Sequence, residues 1–461
     1  MDDEMEDGGI KERLVKRFKM KEAKTTPRRE VLAGFTTFMT MAYIIIVNPS
    51  ILGDEILGEE AMNVNAIALA TILSAAFATI FMGLFANLPF ALASGMGLNA
   101  FFAYTVVLKM GLPWEAALAA VFLDGVIFLI ISIFPIREKI IRGIPLSLKL
   151  ATSVGIGLFI AFIGLQKSGL VVHDEITFVE LGEVAGGAAL VLVGLILTGI
   201  MLAFRVKGAI LFGIIITAGM GWILTFFGVM QGEAPTGVSS IVAIPEFSAL
   251  GSTFGKMDFR TLFKEFNIIT IIFTFTFVDF FDTAGTLMGL ASKLDIIDER
   301  GSFKGAGRAF IADSIGTMFG ALLGTSTVTS YVESATGVEE GGRTGFTSIV
   351  VGCLFLLSMF FIPLIGSIPN YATAPALIAV GLFMTEPVMK IDFRSITEGL
   401  PAFLTIIMMP LTYSIANGLM FGILSYTFLK AITGNLKDVS IVMYVLTGVF
   451  VIKLILDALL I

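Results

Sequence analysis

Apolar runs long enough to cross a bilayer recur from about Gly34 to Ile461, and they limit the fold more than any other feature of the chain. A helix of about 20 apolar residues spans the hydrocarbon core. Of the 461 residues, 56% are hydrophobic and 15% charged, and mean hydropathy is +0.94. Soluble domains carry about 25% charged residues. The chain therefore reads as an all-α polytopic membrane protein, with helices that satisfy their own backbone groups in lipid.

Spans are expected near 32–52, 66–87, 91–109, 114–135, 146–166, 186–204 and 208–229. A polar connector follows at 230–266. A second series lies near 267–292, 308–324, 326–338, 345–366, 372–387, 399–414 and 416–432. The last apolar stretch, 439–460, carries Lys453 and Asp457 on one helical face and is expected either to span or to lie along the interface. Residues 1–30 form an acidic, then basic arm without an apolar run, so they are not a cleaved signal peptide. A basic arm beside the first span marks a cytoplasmic N-terminus, and its cations suit anionic lipid. Counted from there, "IREKIIRG", "FRVKG", "KLDIIDERGSFKGAGR" and "MKIDFRS" fall inside, while "GDEILGEEAMN", "HDEITFVELGE" and 230–266 fall outside. An odd number of spans in 31–229 then inverts 267–433, leaving 434–461 as a C-terminal apolar segment. Inverted halves are common in secondary transporters. "GIPLSLKLATSVGIGLFIAFIGL" and "SIPNYATAPALIAVGLFM" support the halving through a shared Ile-Pro start and Gly-Leu-Phe core.

Two runs break the helical pattern. "LPFALAS" carries Pro89 near its start, and "STVTSYVES" is rich in Thr, Val and Tyr, as strands are. Non-helical backbone at membrane depth is tolerated only where it lines a cavity or is buried in protein. Paired interruptions in corresponding positions point to a transporter's binding site. The site is therefore expected between 88–100 and 325–338, with short extended segments at 88–94 and 326–332.

Four polar residues stand near this crossing. Glu333 lies where the second run gives way to a helix, so free N–H groups are expected beside its carboxylate. A helix cap or buried ion pair is the alternative. Asn99 holds the equivalent place in the first half, where an amide offers donor and acceptor together; interhelical glue is the alternative. Asp279 and Asp282 lie in "FTFTFVDFFDTAGTLMGLA", three apart on one face that Thr286 extends. A carboxylate at the centre of a span costs roughly 2.5–3.5 kcal/mol on insertion scales. Such a pair suits a proton-coupling site, and bracing of nearby backbone is the alternative for Asp282. Asp124 and Asp313 are expected to be either structural or secondary proton sites. Lys149 and Glu386 lie near span ends, where snorkelling accounts for them. Gly95, Gly97, Gly337, Gly341 and Gly342 crowd the crossing, for close backbone approach or tight packing.

His173 lies in a polar loop and Cys353 in an apolar run, each the sole residue of its type. This excludes an intramolecular disulfide and gives no grounds for a metal site or cofactor. "GVEEGGRTG" lacks the Gly-Lys-Ser/Thr ending of a phosphate loop. An enzyme is disfavoured, since neither a Cys/His cluster nor a credible Ser–His pair is evident. An anion exchanger or channel would need positive potential at the crossing, where the charges are carboxylates.

The runs "REVLAGFTTFMTMAYIIIVNPSIL", "ASGMGLNAFFAYTVV", "FVDFFDTAGTLMG", "GTSTVTSYVESATGVEEGGRTG" and "ITEGLPAFLTIIMMPLTYSIANG" resemble the AzgA-like purine permeases of the nucleobase–cation symporter-2 superfamily. The resemblance spans nearly the whole chain in order. It implies a uracil-permease-like fold: a 7+7 inverted repeat of about fourteen spans, with short strands opening spans 3 and 10. Core and gate domains would each draw on both repeats. It implies proton-coupled import of adenine, guanine or hypoxanthine across the plasma membrane. Asn99, Asp279 and Glu333 match substrate-contacting positions, and Asp282 a further acidic one. Asp279 and Asp282 are thus the expected coupling residues, with Tyr331 or Phe281 stacking on the base and Ser94 or Gly95 touching it. Partners would be a purine, protons and lipid, without nucleic acid; a homodimer stays open, as do the preferred purine and a sodium role.

Overall fold

The computed structural model describes residues 10–134, 143–230, 241–265, 267–297 and 303–459. Among them, ten helices are long and apolar enough to cross a membrane. The first, Pro27–Leu52, starts where Thr26 accepts a hydrogen bond from the Arg29 N–H and Pro27 takes the first turn. Proline suits that position because its missing N–H would be unpaired there anyway. This helix is not continuous. It breaks after Met41 and resumes at Ile44, leaving Tyr43 at the joint.

The other long helices are Val64–Ala86, Trp114–Ile133, Leu146–Lys167, Gly186–Ala203, Ala209–Phe226, Ile268–Lys293, Gly345–Gly366, Asn370–Lys390 and Ile415–Ile432. Met96–Lys109, Ala306–Leu323, Ser334–Glu339 and Ile396–Leu411 complete two series of like order. The protein is a multi-pass membrane protein with the inverted-repeat fold that the sequence led us to expect.

Packing makes the repeat visible. Trp114–Ile133 packs on Ala306–Leu323, and Gly345–Ser358 packs on Val64–Phe81, so each half supplies the same partner to the other. Likewise Ile396–Leu411 packs on Leu146–Lys167 and Ile415–Ile432, as Gly186–Ala203 packs on Asn370–Thr385 and Ala209–Phe226. Leu146–Lys167 and Asn370–Thr385 meet one another directly. Their Gly-Leu-Phe motifs touch through the glycines. A Cβ on Gly157 would stand 2.7 Å from the Gly381 carbonyl oxygen, and one on Gly381 2.5 Å from that of Gly157. Small residues allow such backbone approach where lipid offers no hydrophobic drive to association.

Strands are few. β1 (Leu92–Ser94) pairs with a strand of the other half, Val328–Ser330. Between them in sequence, β2 (Val171–Asp174) and β3 (Phe178–Leu181) form a hairpin in the loop that carries His173, so Val328–Ser330 is β4. The final helix, Ile441–Leu459, packs on Ile415–Ile432, with Phe450 against Phe273 at 5.7 Å between ring centroids. The Asp457 side chain lies outside the described residues.

Candidate functional site

β1 and β4 cross as an antiparallel pair, Leu92 facing Ser330, Ala93 facing Thr329 and Ser94 facing Val328. Flanking bonds extend it: Gly95 N–H donates to the Thr327 carbonyl (3.0 Å) and Tyr331 N–H to that of Ala91 (2.9 Å). Each strand has one strand neighbour, so its outer edge needs another partner. Two threonines supply it. Thr79 Oγ1 donates to the Leu92 carbonyl and accepts from its N–H, both at 2.9 Å. Thr317 Oγ1 does the same for Val328, at 3.0 and 3.1 Å. A hydroxyl can donate once and accept at the same time, so each threonine stands in for a missing strand.

Just beyond the strands lie the two residues expected to face a ligand. Asn99 is fully buried; its Oδ1 accepts from Ser326 Oγ, and its Nδ2 has no partner among the described residues. Glu333 is half-buried and begins the helix Ser334–Glu339. Its Oε1 accepts from the Tyr43 hydroxyl at 2.6 Å. The N–H groups after it are not free, which departs from the expectation. Those of Ser334, Ala335 and Thr336 bond to the carbonyls of Tyr331, Val332 and Glu333 at 3.1, 2.9 and 3.0 Å. The tight turn consumes them, and a tyrosine hydroxyl takes their place at the carboxylate.

Helix Ile268–Lys293 passes the same crossing. Asp279 is fully buried, with Oδ2 3.5 Å from Thr317 Oγ1 and Oδ1 unpartnered among the described residues. Asp124 is fully buried too, with Thr276 and Asp279 beside its carboxyl group. The two carboxyl groups face each other across the helices that bear them. Asp313 differs: it accepts from Thr283 Oγ1 (3.0 Å) and Ser330 Oγ (2.9 Å), bracing β4. Asp282 is half-buried, takes no hydrogen bond among the described residues, and lies in the field of Glu333.

Tyr331 and Phe281 part company. The Tyr331 hydroxyl donates to the Ser94 carbonyl at 2.5 Å, which locks it to β1. Phe281 packs on Phe277 (4.7 Å), and Lys149 Nζ lies 5.6 Å from its ring centroid. Ser94 Oγ lies 3.0 Å from Thr325 Oγ1 and 3.3 Å from Asn48 Nδ2, while Gly95 sits against Thr329. Tyr43, Asn48, Thr79, Thr317 and Ser326 were not foreseen from the sequence. Polar residues inside apolar runs were the available signal, but threonines and serines are too common there to single out. No group of His, Cys, Asp and Glu suited to a metal ion occurs among the described residues.

The model of a family described as "Permease family" matches residues 28–421. Adenine permease AdeP of Escherichia coli is 41% identical over 451 residues, covering 97% of this chain and 96% of its own. Guanine/hypoxanthine permease PbuG of Bacillus subtilis is 44% identical over 441 residues, covering 94% and 98%. Among solved structures, the transmembrane domain of the cyanobacterial bicarbonate transporter BicA aligns with a TM-score of 0.59 at 14% identity, covering 86% of this chain and 97% of its own. That likeness speaks to the fold alone. The architecture, the crossed strands and these full-length relatives lead to one conclusion: the chain belongs to the AzgA-like purine permeases of the nucleobase–cation symporter-2 superfamily.

Proposed function

We propose that the protein imports purine nucleobases across the plasma membrane by proton symport, with its N-terminus in the cytoplasm. The observation that carries the reading is the pairing of an amide donor and a carboxylate acceptor at corresponding ends of the crossed strands. Asn99 Nδ2 lacks a partner among the described residues, and Glu333 bonds to Tyr43 through one oxygen, leaving the other for a ligand. A purine edge presents N–H donors beside ring-nitrogen or carbonyl acceptors, which such a pair complements. Glu333 accepts from ring N–H groups in charge-assisted bonds, and Asn99 donates to a ring nitrogen or exocyclic oxygen. Phe281, Tyr331, Ser94 and Gly95 supply the surrounding surface.

Proton coupling rests on the carboxylates. Two facing, buried carboxyl groups repel one another unless a proton lies between them. In this reading Asp279 and Asp124 hold that proton, and Asp282, the more exposed, exchanges it with the substrate site. The relatives are named for adenine in one case and for guanine and hypoxanthine in the other, and the proposal takes in all three bases. Anion exchange is disfavoured because Glu333 and Asp282 would oppose an anion at the crossing.

The test is uptake of radiolabelled hypoxanthine and adenine into proteoliposomes under an imposed pH gradient. Unlabelled purines should compete; uracil and bicarbonate should not. Uptake insensitive to the gradient refutes the coupling. Competition by anions rather than purines refutes the substrate.

A further inference from the structure

A cavity of about 420 Å³ opens beside the N-terminal arm, and neither crossed strand lines it. Five cations line it, Arg17, Lys19, Lys304, Arg308 and Arg343, against one carboxylate, Glu22. None of the five is in an ion pair among the described residues. Backbone carbonyls position two of them. Arg343 Nη1 donates to those of Val338 (2.5 Å) and Gly342 (2.8 Å), and Arg308 Nη1 to that of Phe85 (3.5 Å). Such bonds orient a guanidinium without pairing it to a carboxylate among the described residues.

The wall is held in shape. Asn87, left-handed at φ 55°, donates through Nδ2 to the Phe18 carbonyl (3.3 Å) and accepts at Oδ1 from the Gly345 N–H (2.9 Å). Phe18 is 4% exposed and packs on Phe346, so Arg17 and Lys19 flank an anchored residue. Like charges gathered around one cavity repel one another, and an anion relieves that repulsion.

An apolar track leads out of the same cavity, starting at Phe85 in its wall. Phe77, Phe81 and Phe85 lie four apart on one helical face, their rings near-parallel with centroids 6.0 and 5.1 Å apart. Phe77 and Phe85 are 37% and 38% exposed on a helix long and apolar enough to cross the bilayer. Basic pockets between spans on the cytoplasmic side bind phospholipid headgroups. A free phosphate would use the cations and ignore the track; a phospholipid uses both. We propose that this cavity binds the phosphate headgroup of an anionic phospholipid, with an acyl chain laid along Phe85, Phe81 and Phe77.

Native mass spectrometry of the full chain, released from equimolar phosphatidylglycerol and phosphatidylcholine, tests this. Wild type should retain phosphatidylglycerol selectively. Each cation is worth about fivefold in attraction to an anionic surface, so Lys304→Gln/Arg308→Gln should lower that retention roughly 25-fold. Lys304→Arg/Arg308→Lys, with the charge kept, should preserve it, which separates loss of the site from loss of fold. Phe81→Ser should weaken lipid retention and leave binding of inorganic pyrophosphate unchanged. Equal retention of both lipids by wild type overturns the proposal. Pyrophosphate binding without phosphatidylglycerol selectivity also overturns it, in favour of a soluble phosphate ligand.

Discussion

Tyr43→Phe isolates one hydroxyl at the candidate site. The ring is 1% exposed and Phe preserves its shape, so packing is unchanged. What is lost is a 2.6 Å hydrogen bond to the Glu333 carboxylate. Bonds to charged groups contribute about 1.5–3 kcal/mol. Glu333 is half-buried, and water can replace part of that bond, so a loss of about 1–2 kcal/mol is expected. Because about 1.4 kcal/mol is tenfold, purine affinity should fall roughly 5- to 30-fold. The cause is orientation, since an unanchored carboxylate samples rotamers that do not face the base. Equilibrium binding of radiolabelled hypoxanthine to purified protein measures this, with melting temperature as the control for fold. Wild-type or tighter binding by a variant that melts normally would refute the idea that Tyr43 aims Glu333.

Glu333→Gln should reduce purine binding below detection in the same assay while the protein stays folded, because an amide donor then opposes ring N–H groups; wild-type affinity would remove Glu333 from the site. Asp282→Asn should bind purine yet lose gradient-driven accumulation in proteoliposomes, with sodium having no effect on the wild type; a variant that still accumulates purine counts against Asp282. Asp124→Asn should flatten the pH dependence of uptake more than it changes binding, and an unaltered pH profile would show that Asp124 holds no coupled proton. Thr317→Val leaves the Val328 N–H and carbonyl unpaired in the interior, at about 1–3 kcal/mol each. Its melting temperature should fall well below that of the exposed-site control Thr433→Val, and equal melting would mean that the threonine does not complete β4.

The helices and both strand runs were legible because their causes are local. Apolar length marks a span, and "LPFALAS" and "STVTSYVES" announce extended backbone through Pro89 and a β-branched run. The Gly-Leu-Phe repeat was legible as similarity, though not as the contact of Gly157 with Gly381. Tyr43 was hidden for a physical reason. "MTMAYIIIV" reads as unbroken helix, and the break after Met41 has neither Pro nor Gly to mark it. Asp124 gave its own burial away but not its partner, since two carboxyl groups on different helices leave no spacing rule in the chain. Thr79 and Thr317 become meaningful only once the strand register is known. The free N–H groups expected beside Glu333 are missing because a tight turn spends its own donors.

The β1–β4 ladder also bears on how the protein is made. Tyr331 and Ser94, which close it, are 237 residues apart in the chain. Helices satisfy their backbone as they enter the bilayer, one at a time, but neither three-residue strand can do so within its own half. Thr79 shields one edge of β1 while the other edge waits for a segment that emerges from the ribosome much later. Contacts so distant in sequence form late, after the entropy of closing the intervening chain has been met. The first half must therefore hold an unfinished strand in place, buried against its own helices, until the second half arrives. The candidate site is then a product of final assembly, and a chain stalled between its halves would be a membrane protein with half of its helices and no completed crossing.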